Sequence, residues 1–147
     1  MSEMSITWER FDRDARALAV LAAPLGPFTG IVAVSRGGLV PAAIVARIME
    51  IRLLETVCVM SYDGQARSRP FLIKRPAAAV DGRGRGRGWL VIDDLVDSGA
   101  TAQAVRDLLP EACYAAVYAK PAGRPFADIA AVPVEQDIWL VFPWEAS

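Results

Sequence analysis

The segment at positions 90–102, LVIDDLVDSGATA, constrains the fold of this chain more than any other feature. Its apolar beginning belongs to a short strand predicted at 89–92, and a helix is predicted from about 100 to 109. Small residues at 98–101 would let a ligand approach the unpaired backbone N–H groups and the positive dipole end at the start of that helix. The segment therefore predicts a strand–turn–helix unit with a phosphate-binding turn.

The same alternation of strand and helix continues along the chain. Apolar residues at 7–23 recur every three or four positions, which predicts an amphipathic first helix. Further strands are predicted at 31–34, 53–60, 114–119 and 138–142, and a further helix around 41–49. This order predicts an α/β fold with a mostly parallel, twisted sheet flanked by helices. Ligands bind at the carboxyl ends of such strands, so the loops after Val34, Ile92 and Ala119 are expected to face one cleft.

Composition bounds the size and the partners of the protein. The chain has 147 residues, 54% of them hydrophobic, so we expect a single domain over 1–147 with one good core. Sixteen basic and 17 acidic side chains nearly cancel, and we expect small molecules or copies of the chain as partners and no nucleic acid. The apolar runs are too short for a membrane span and the N-terminal charges do not suit a secretory signal, so a cytoplasmic location is expected.

Histidine is absent from the sequence, which excludes Ser-His-Asp and Cys-His catalysis and histidine-ligated zinc. Acid–base chemistry must therefore use carboxylates, lysine or arginine. The two cysteines, Cys58 and Cys113, lie in strand-forming runs and are predicted to be buried free thiols rather than a disulfide or a metal pair.

Two segments interrupt the regular pattern. Residues 62–70, YDGQARSRP, have no apolar period and are interpreted either as a mobile lid or as a solvated hairpin tip. Residues 81–88, DGRGRGRG, are of low complexity and are predicted to be a flexible connector, with an RNA-contacting Arg-Gly tract as the alternative.

The adjacent carboxylates Asp93 and Asp94 stand next to the predicted phosphate turn. Such a pair can accept hydrogen bonds from two vicinal hydroxyls, or it can hold a divalent cation that a polyphosphate also binds. Phosphate, diol and cation together describe a phosphorylated ribose. Acidic residues also end the corresponding strand of nucleoside triphosphatases, but the chain has no Gly-x-x-x-x-Gly-Lys-Ser/Thr loop, and its GRGRGRG run precedes a strand instead of following one.

Five motifs resemble one enzyme family. Residues 91–102, VIDDLVDSGATA, are similar to the phosphoribosyl pyrophosphate loop of type I phosphoribosyltransferases. Four other segments are similar, in the same order, to the bacterial members of that family that use xanthine and guanine: AVSRGGLVPA at 33–42, TVCVMSYD at 56–63, AKPAGRP at 119–125 and QDIWLVFPWE at 136–145. The resemblance covers nearly the whole chain. It implies the type I phosphoribosyltransferase fold with a small hood region.

The resemblance also implies which residues contact the donor, phosphoribosyl pyrophosphate. They are Arg36, Gly37, Arg69, Asp93, Asp94, Leu95, Val96, Asp97, Ser98, Gly99, Ala100 and Thr101, with Arg67 as the alternative to Arg69. Mg²⁺ is the implied cofactor, and Asp94 is expected to hold it directly or through water. Loops of the kind at Arg36 often contain a non-proline cis peptide in this family.

For the purine, the resemblance assigns Asp97 to a position near N7 as the general base and Lys120 to the oxygen at C6. Trp139 and Leu140 are expected to face the 2-position with their backbone carbonyls and to pack on the ring with their side chains.

These roles imply a purine-salvage transferase. It would convert phosphoribosyl pyrophosphate and xanthine or guanine, with hypoxanthine weaker, into the nucleotide and pyrophosphate. Two alternatives share the fold: a non-catalytic regulator that binds the donor, and a transferase for another base. Lys120 and the Trp139–Leu140 pair favour the enzyme, because a donor sensor does not need them. The resemblance further implies a homodimer or homotetramer and, as an option, weak association with the surface of the inner membrane.

Overall fold

The computed structural model describes residues 2–60 and 70–145, and strands and helices alternate within them. The strands are β1 (Ser2–Ser5), β2 (Gly30–Val34), β3 (Leu54–Met60), β4 (Phe71–Lys74), β5 (Trp89–Val96), β6 (Cys113–Ala119), β7 (Ile129–Pro133) and β8 (Ile138–Val141). The helices are α1 (Trp8–Ala22), α2 (Leu39–Ile48), α3 (Ala78–Asp81) and α4 (Ala100–Leu108), with 3₁₀ turns at Ala23–Leu25 and Arg124–Phe126.

Six strands form one sheet in the order β4-β3-β2-β5-β6-β7, in which all neighbours except β3 and β4 are parallel. The predicted α/β fold with a mostly parallel sheet is therefore confirmed. Its central strand β2, GIVAV, is buried at every position, because helices cover both faces of the sheet. The non-consecutive order brings the carboxyl ends of β2 and β5 side by side, which places their following loops together.

Alternate residues of the central strands enter two separate cores. Ile31 and Ala33 pack with α1 and α2, whereas Val32 and Val34 pack with α3 and α4. Thr7 caps the N-terminus of helix α1, and its Oγ1 accepts a hydrogen bond of 3.1 Å from the backbone N–H of Arg10. Its buried side includes Phe11, Ala15, Leu18 and Ala22. The apolar period at 7–23 is thus confirmed as an amphipathic helix whose buried face holds it on the sheet.

A small second sheet pairs β1 with β8 in parallel and forms the hood. An aromatic cluster ties the end of this region to α1: the rings of Phe142 and Trp144 stack at 4.8 Å, and Trp144 meets Phe11 edge to face, also at 4.8 Å. Strand β8 was predicted, but β1 was not. Its sequence, SEMS, has no strand signal of its own, and it forms a strand because β8 supplies the hydrogen-bonding partner.

The structure corrects two sequence predictions. The strand predicted to end at Ile92 continues to Val96, because the pairing of β5 with β6 extends through Leu95 and Val96. The segment 81–88 is not a flexible connector. Successive turns hold it, with hydrogen bonds from the backbone N–H of Gly86 to the carbonyl of Val80 at 2.6 Å and from Glu111 to Arg85 at 3.0 Å.

Other predictions have mixed outcomes. Cys58 and Cys113 are free thiols, as predicted, but both are half-buried rather than fully buried. The segment 62–70 lies outside the described residues apart from Pro70. Within 2–60 and 70–145, no helix combines the length and the apolar character that a membrane span requires.

Candidate active site

A cleft of about 250 Å³ opens at the carboxyl ends of β2 and β5. Its lining from the β2 side is Val34, Ser35 and Gly37, and its lining from the β5 side is the continuous run 93–102, with Val59 of β3 beside them. The predicted donor residues from Asp93 to Thr101 thus all line one cleft, as does Gly37. Arg36 is exposed in the same loop, and Arg69, like Arg67, falls outside the described residues.

The turn before α4 leaves backbone N–H groups open to a ligand. Its N-cap is Gly99, at φ +92°, and no side chain caps the helix there. The nearest substitute is Ser98, whose Oγ accepts from the backbone N–H of Ala100 at 3.3 Å. A Cβ at Gly99 would lie 2.3 Å from Cδ2 of Phe126, so glycine is required both by the backbone conformation and by the close neighbour. The turn has the open backbone N–H groups that a phosphate site requires, and phosphate binding here stays a prediction.

Asp93 is buried at the floor of this region. Its Oδ2 accepts a hydrogen bond from the hydroxyl of Tyr114 at 3.1 Å, and its Oδ1 accepts from the backbone N–H of Asp94 at 2.9 Å. Burial, and next the charge of Asp94, raise the pKa of the Asp93 carboxyl well above its usual value. Burial likewise raises the pKa of Asp94. Among the described residues neither carboxyl has an ion-pair partner, so the pair is short of positive charge.

The loop after β2 approaches this acidic pair closely. The Ser35–Arg36 peptide is cis, as the resemblance implies. Gly37 lies so near Asp94 that a Cβ at this position would be 2.4 Å from its Oδ2. Glycine therefore permits the loop after β2 and the acidic end of β5 to share one wall of the cleft.

Lys120 meets Asp97 where the loops after β5 and β6 come together. The Nζ of Lys120 lies 3.2 Å from Oδ2 of Asp97, and the lysine side chain is 5% exposed whereas the aspartate side chain is 48% exposed. The backbone N–H of Lys120 donates to the carbonyl of Val96 at 2.9 Å and so extends the β5–β6 pairing beyond the strands. The two residues expected to read the purine are thus adjacent in space.

Gln136 is a contact residue that the sequence analysis did not single out. Its Nε2 donates to Oδ1 of Asp97 at 2.9 Å, and its Oε1 accepts from the backbone N–H of Ala122 at 2.9 Å. The available signal was its position as the first residue of the QDIWLVFPWE segment.

Trp139 and Leu140 lie next to each other on β8 but differ in exposure. Trp139 is 55% exposed, whereas Leu140 is buried in the core beneath α1. The side chain of Trp139 is therefore accessible for packing on a purine ring. The side chain of Leu140 would have to leave the core to make that contact, so only the backbone of Leu140 can contribute as expected.

Comparison with known proteins agrees with this geometry. Residues 27–147 match the family model of the phosphoribosyl transferase domain. The xanthine-guanine phosphoribosyltransferase of Nitratidesulfovibrio vulgaris strain DP4 is 50% identical over 141 residues, which cover 96% of this chain and 83% of that protein. The xanthine-guanine phosphoribosyltransferase of Gluconobacter oxydans is 51% identical over 146 residues, covering 97% and 84% respectively.

Solved structures share the fold. A purine phosphoribosyltransferase from Pyrococcus horikoshii superposes with a TM-score of 0.82 at 27% identity and covers 100% of this chain and 96% of that one. The xanthine-guanine-hypoxanthine phosphoribosyltransferase of Helicobacter pylori has a TM-score of 0.79 at 22% identity, covering 98% and 94%, and supports the fold alone. The resemblance predicted from the five sequence motifs is confirmed, and the chain belongs to the phosphoribosyltransferase family.

Proposed function

We propose that the protein is a purine-salvage enzyme that transfers the phosphoribosyl group of phosphoribosyl pyrophosphate to xanthine or guanine, and more weakly to hypoxanthine. The products are XMP or GMP, or IMP, together with pyrophosphate. The observation that carries this proposal is the contact of 3.2 Å between the buried ammonium of Lys120 and the carboxylate of Asp97, directly beside the turn that leads into α4. A protein that only binds the donor needs the turn but not this pair.

The donor would occupy the cleft between the loops after β2 and β5. The backbone N–H groups at 98–101 would bind its 5′-phosphate, and Asp93 and Asp94 would accept from the ribose hydroxyls. Arg36 would bind the pyrophosphate through its fixed guanidinium donors, and Gly37 would leave room for it. Arg69 is proposed for the same end of the donor from the sequence resemblance alone.

Mg²⁺ fits the acidic end of β5. Asp94 would hold it, and the acidic pair would gain a positive charge, since neither carboxyl has an ion-pair partner among the described residues. No group of three or more potential metal-ligating side chains occurs among the described residues, so donor oxygens and water would complete the coordination, which is the usual arrangement for this ion. When bound, Mg²⁺ supplies charge neutralisation for the departing pyrophosphate.

Asp97 would act as the general base. In the transfer, N9 of the purine forms a bond to C1′ of the ribose as the bond from C1′ to the pyrophosphate oxygen breaks, and the proton leaves through N7. The carboxylate of Asp97 would accept that proton, and the absence of histidine from the chain supports this assignment.

Lys120 would select the base. Its ammonium has donors and no acceptor, so it suits the carbonyl at C6 of an oxopurine and opposes the amino group of adenine. Trp139 would stack on the ring, and the backbone carbonyls of Trp139 and Leu140 would accept from groups at the 2-position. Hypoxanthine offers less at that position, which accounts for its proposed lower activity.

A pyrophosphate-release assay with donor, Mg²⁺ and four bases tests the proposal. We expect guanine and xanthine to be used best, hypoxanthine less, and adenine about 10⁴-fold worse than guanine in kcat/KM, because a buried ammonium would face an amino group. Lys120→Ala should lower kcat/KM for guanine and reduce this discrimination. Adenine used as well as guanine by the wild type would overturn the assignment.

The organisation of the whole protein is also proposed. We expect a single domain that assembles as a homodimer or homotetramer in the cytoplasm, with weak association with the membrane surface as an option. Light scattering after size-exclusion chromatography tests the assembly, and flotation with anionic vesicles tests the membrane association.

A further inference from the structure

Gln136 connects three parts of the molecule through one side-chain amide. Its Nε2 donates to Oδ1 of Asp97 at 2.9 Å and, more weakly, to the backbone carbonyl of Asp97 at 3.4 Å. Its Oε1 accepts from the backbone N–H of Ala122 at 2.9 Å. The residue itself stands just before β8, so it joins the hood to the loops after β5 and β6.

The chemistry of its partners determines the orientation of this amide. A backbone N–H can only donate, and an ionised carboxylate can only accept. If the amide were rotated by 180°, an NH₂ group would face the N–H of Ala122 and an oxygen would face the carboxylate of Asp97. The orientation with Nε2 toward Asp97 is therefore the one that satisfies both partners.

The carboxylate of Asp97 is consequently held from two sides. Gln136 binds Oδ1, and the ammonium of Lys120 lies at Oδ2. In the proposed reaction Lys120 turns to the oxygen at C6 of the purine, and Oδ2 then becomes available to accept a proton. Gln136 is not assigned a contact with the purine, so its hydrogen bond to Oδ1 would be retained.

We propose that Gln136 is a positioning residue for the transfer reaction, which fixes the carboxylate of Asp97 so that Oδ2 faces N7 of the bound purine. This inference rests on the proposed function, in which Asp97 is the general base. Without Gln136, a half-exposed aspartate side chain would rotate among several conformers once Lys120 engages the base.

The exposure of Gln136 separates this role from a role in stability. The side chain is exposed, so its replacement should change the free energy of unfolding little, and a variant should fold. A loss of turnover in a protein of unchanged melting temperature would then report on the position of Asp97.

Two variants divide the contacts of Gln136. Gln136→Leu removes the bonds to both Asp97 and Ala122. Gln136→Glu keeps an acceptor for the N–H of Ala122 but, when ionised, cannot donate to Asp97 and repels it. On protonation the same side chain regains an O–H donor. Gln103→Leu is the matched control, because Gln103 is an exposed glutamine on α4 that does not line the cleft.

We expect Gln136→Leu to lower kcat by about 10- to 100-fold with KM for phosphoribosyl pyrophosphate within about twofold of wild type, since a small displacement of a catalytic group has effects of this size. For Gln136→Glu, kcat relative to wild type should rise as the pH falls from about 8 to about 5.5, because repulsion by the carboxylate of Asp97 would raise the pKa of the introduced glutamate above its ordinary value of about 4.3. The kcat of Gln136→Leu relative to wild type should not change with pH, and Gln103→Leu should retain wild-type kcat.

Either of two results would overturn the inference. One is a kcat within about twofold of wild type for Gln136→Leu. The other is a ratio of the kcat of Gln136→Glu to that of wild type that is independent of pH. Wild-type turnover with oxopurines together with a fully active Gln136→Leu variant rejects the role of Gln136 alone. No turnover by the wild type with any of the four bases rejects the proposed function, and the role of Gln136 with it.

Discussion

The ammonium of Lys120 lies 3.2 Å from the Oδ2 atom of Asp97, and the lysine is buried while the aspartate is half exposed. An ion pair with one partner in water contributes little net stability, and a buried ammonium is unfavourable unless its donors are used. The pair therefore fits the proposed function, in which both groups contact the purine.

Asp97→Asn should lower kcat by about 100-fold or more while the affinity for phosphoribosyl pyrophosphate stays near that of wild type, because the substitution removes the proposed general base and leaves the backbone proposed to bind phosphate unchanged. Steady-state kinetics and calorimetric titration of the donor measure the two quantities. Asp107→Asn, which removes an exposed carboxylate of α4 outside the cleft, is the charge-matched control. A kcat within about threefold of wild type would show that Asp97 is not the base.

Gly99→Ala should weaken both donor binding and folding. The new Cβ would sit at φ +92° and 2.3 Å from Cδ2 of Phe126, so the phosphate turn would have to move. We expect a loss of roughly 1–3 kcal/mol in the free energy of unfolding, measured by denaturant titration, and a higher KM for the donor.

Gly84→Ala is the matched control for that substitution. Its Cβ would meet nothing closer than Cβ of Arg87 at 4.0 Å, and its backbone is not left-handed. It should leave stability and KM within experimental error of wild type. Equal effects of the two alanine substitutions would contradict the steric explanation.

Tyr118→Phe should destabilise the protein without removing its ring packing. The buried hydroxyl of Tyr118 donates to Oδ2 of the buried Asp14 at 2.6 Å, and burial raises the pKa of this hydroxyl, so it remains protonated and continues to donate. Losing the bond leaves a buried carboxylate oxygen poorly satisfied, at a cost of about 1–3 kcal/mol.

A double-mutant cycle of Tyr118→Phe with Asp14→Ala isolates this bond. Thermal or denaturant unfolding of the four proteins should give a coupling free energy of about 1 kcal/mol or more between Tyr118 and Asp14. A coupling free energy near zero would mean that the hydrogen bond from Tyr118 adds no stability. The ion pairs of Asp14 with Arg10 and Arg13 would then be what compensates for burying its carboxylate.

Cys113 should react slowly with iodoacetamide at neutral pH. Burial, and next the charge of Asp128, raise the pKa of its thiol to about 11, and only the thiolate reacts. In a Cys58→Ser background, the alkylation rate followed by mass spectrometry should climb about tenfold per pH unit from about pH 8 to about pH 10. A rate that levels off near pH 9, as for an ordinary thiol, would contradict the raised pKa.

Local sequence pattern was sufficient for most of the helices and parallel strands and for the turn between β5 and α4. Three signals depend only on residues that are close together in the sequence. They are the apolar period of α1, the β-branched run of β2 and the small residues before α4. The residues from Asp93 to Thr101, which were predicted to bind the donor, are consecutive, so their place in one cleft followed from one strand–turn–helix unit.

Tertiary structure decided the features that depend on a distant partner. Strand β1 exists because β8 pairs with it, and β5 runs on to Val96 because β6 continues beside it. Gln136 meets Asp97 across 39 residues of sequence, and no periodicity or propensity encodes such a contact. Local pattern therefore determined most of the elements and the position of the turn before α4, whereas the approach of Lys120 and Gln136 to Asp97 arose only when the sheet order and the hood brought three separate loops together.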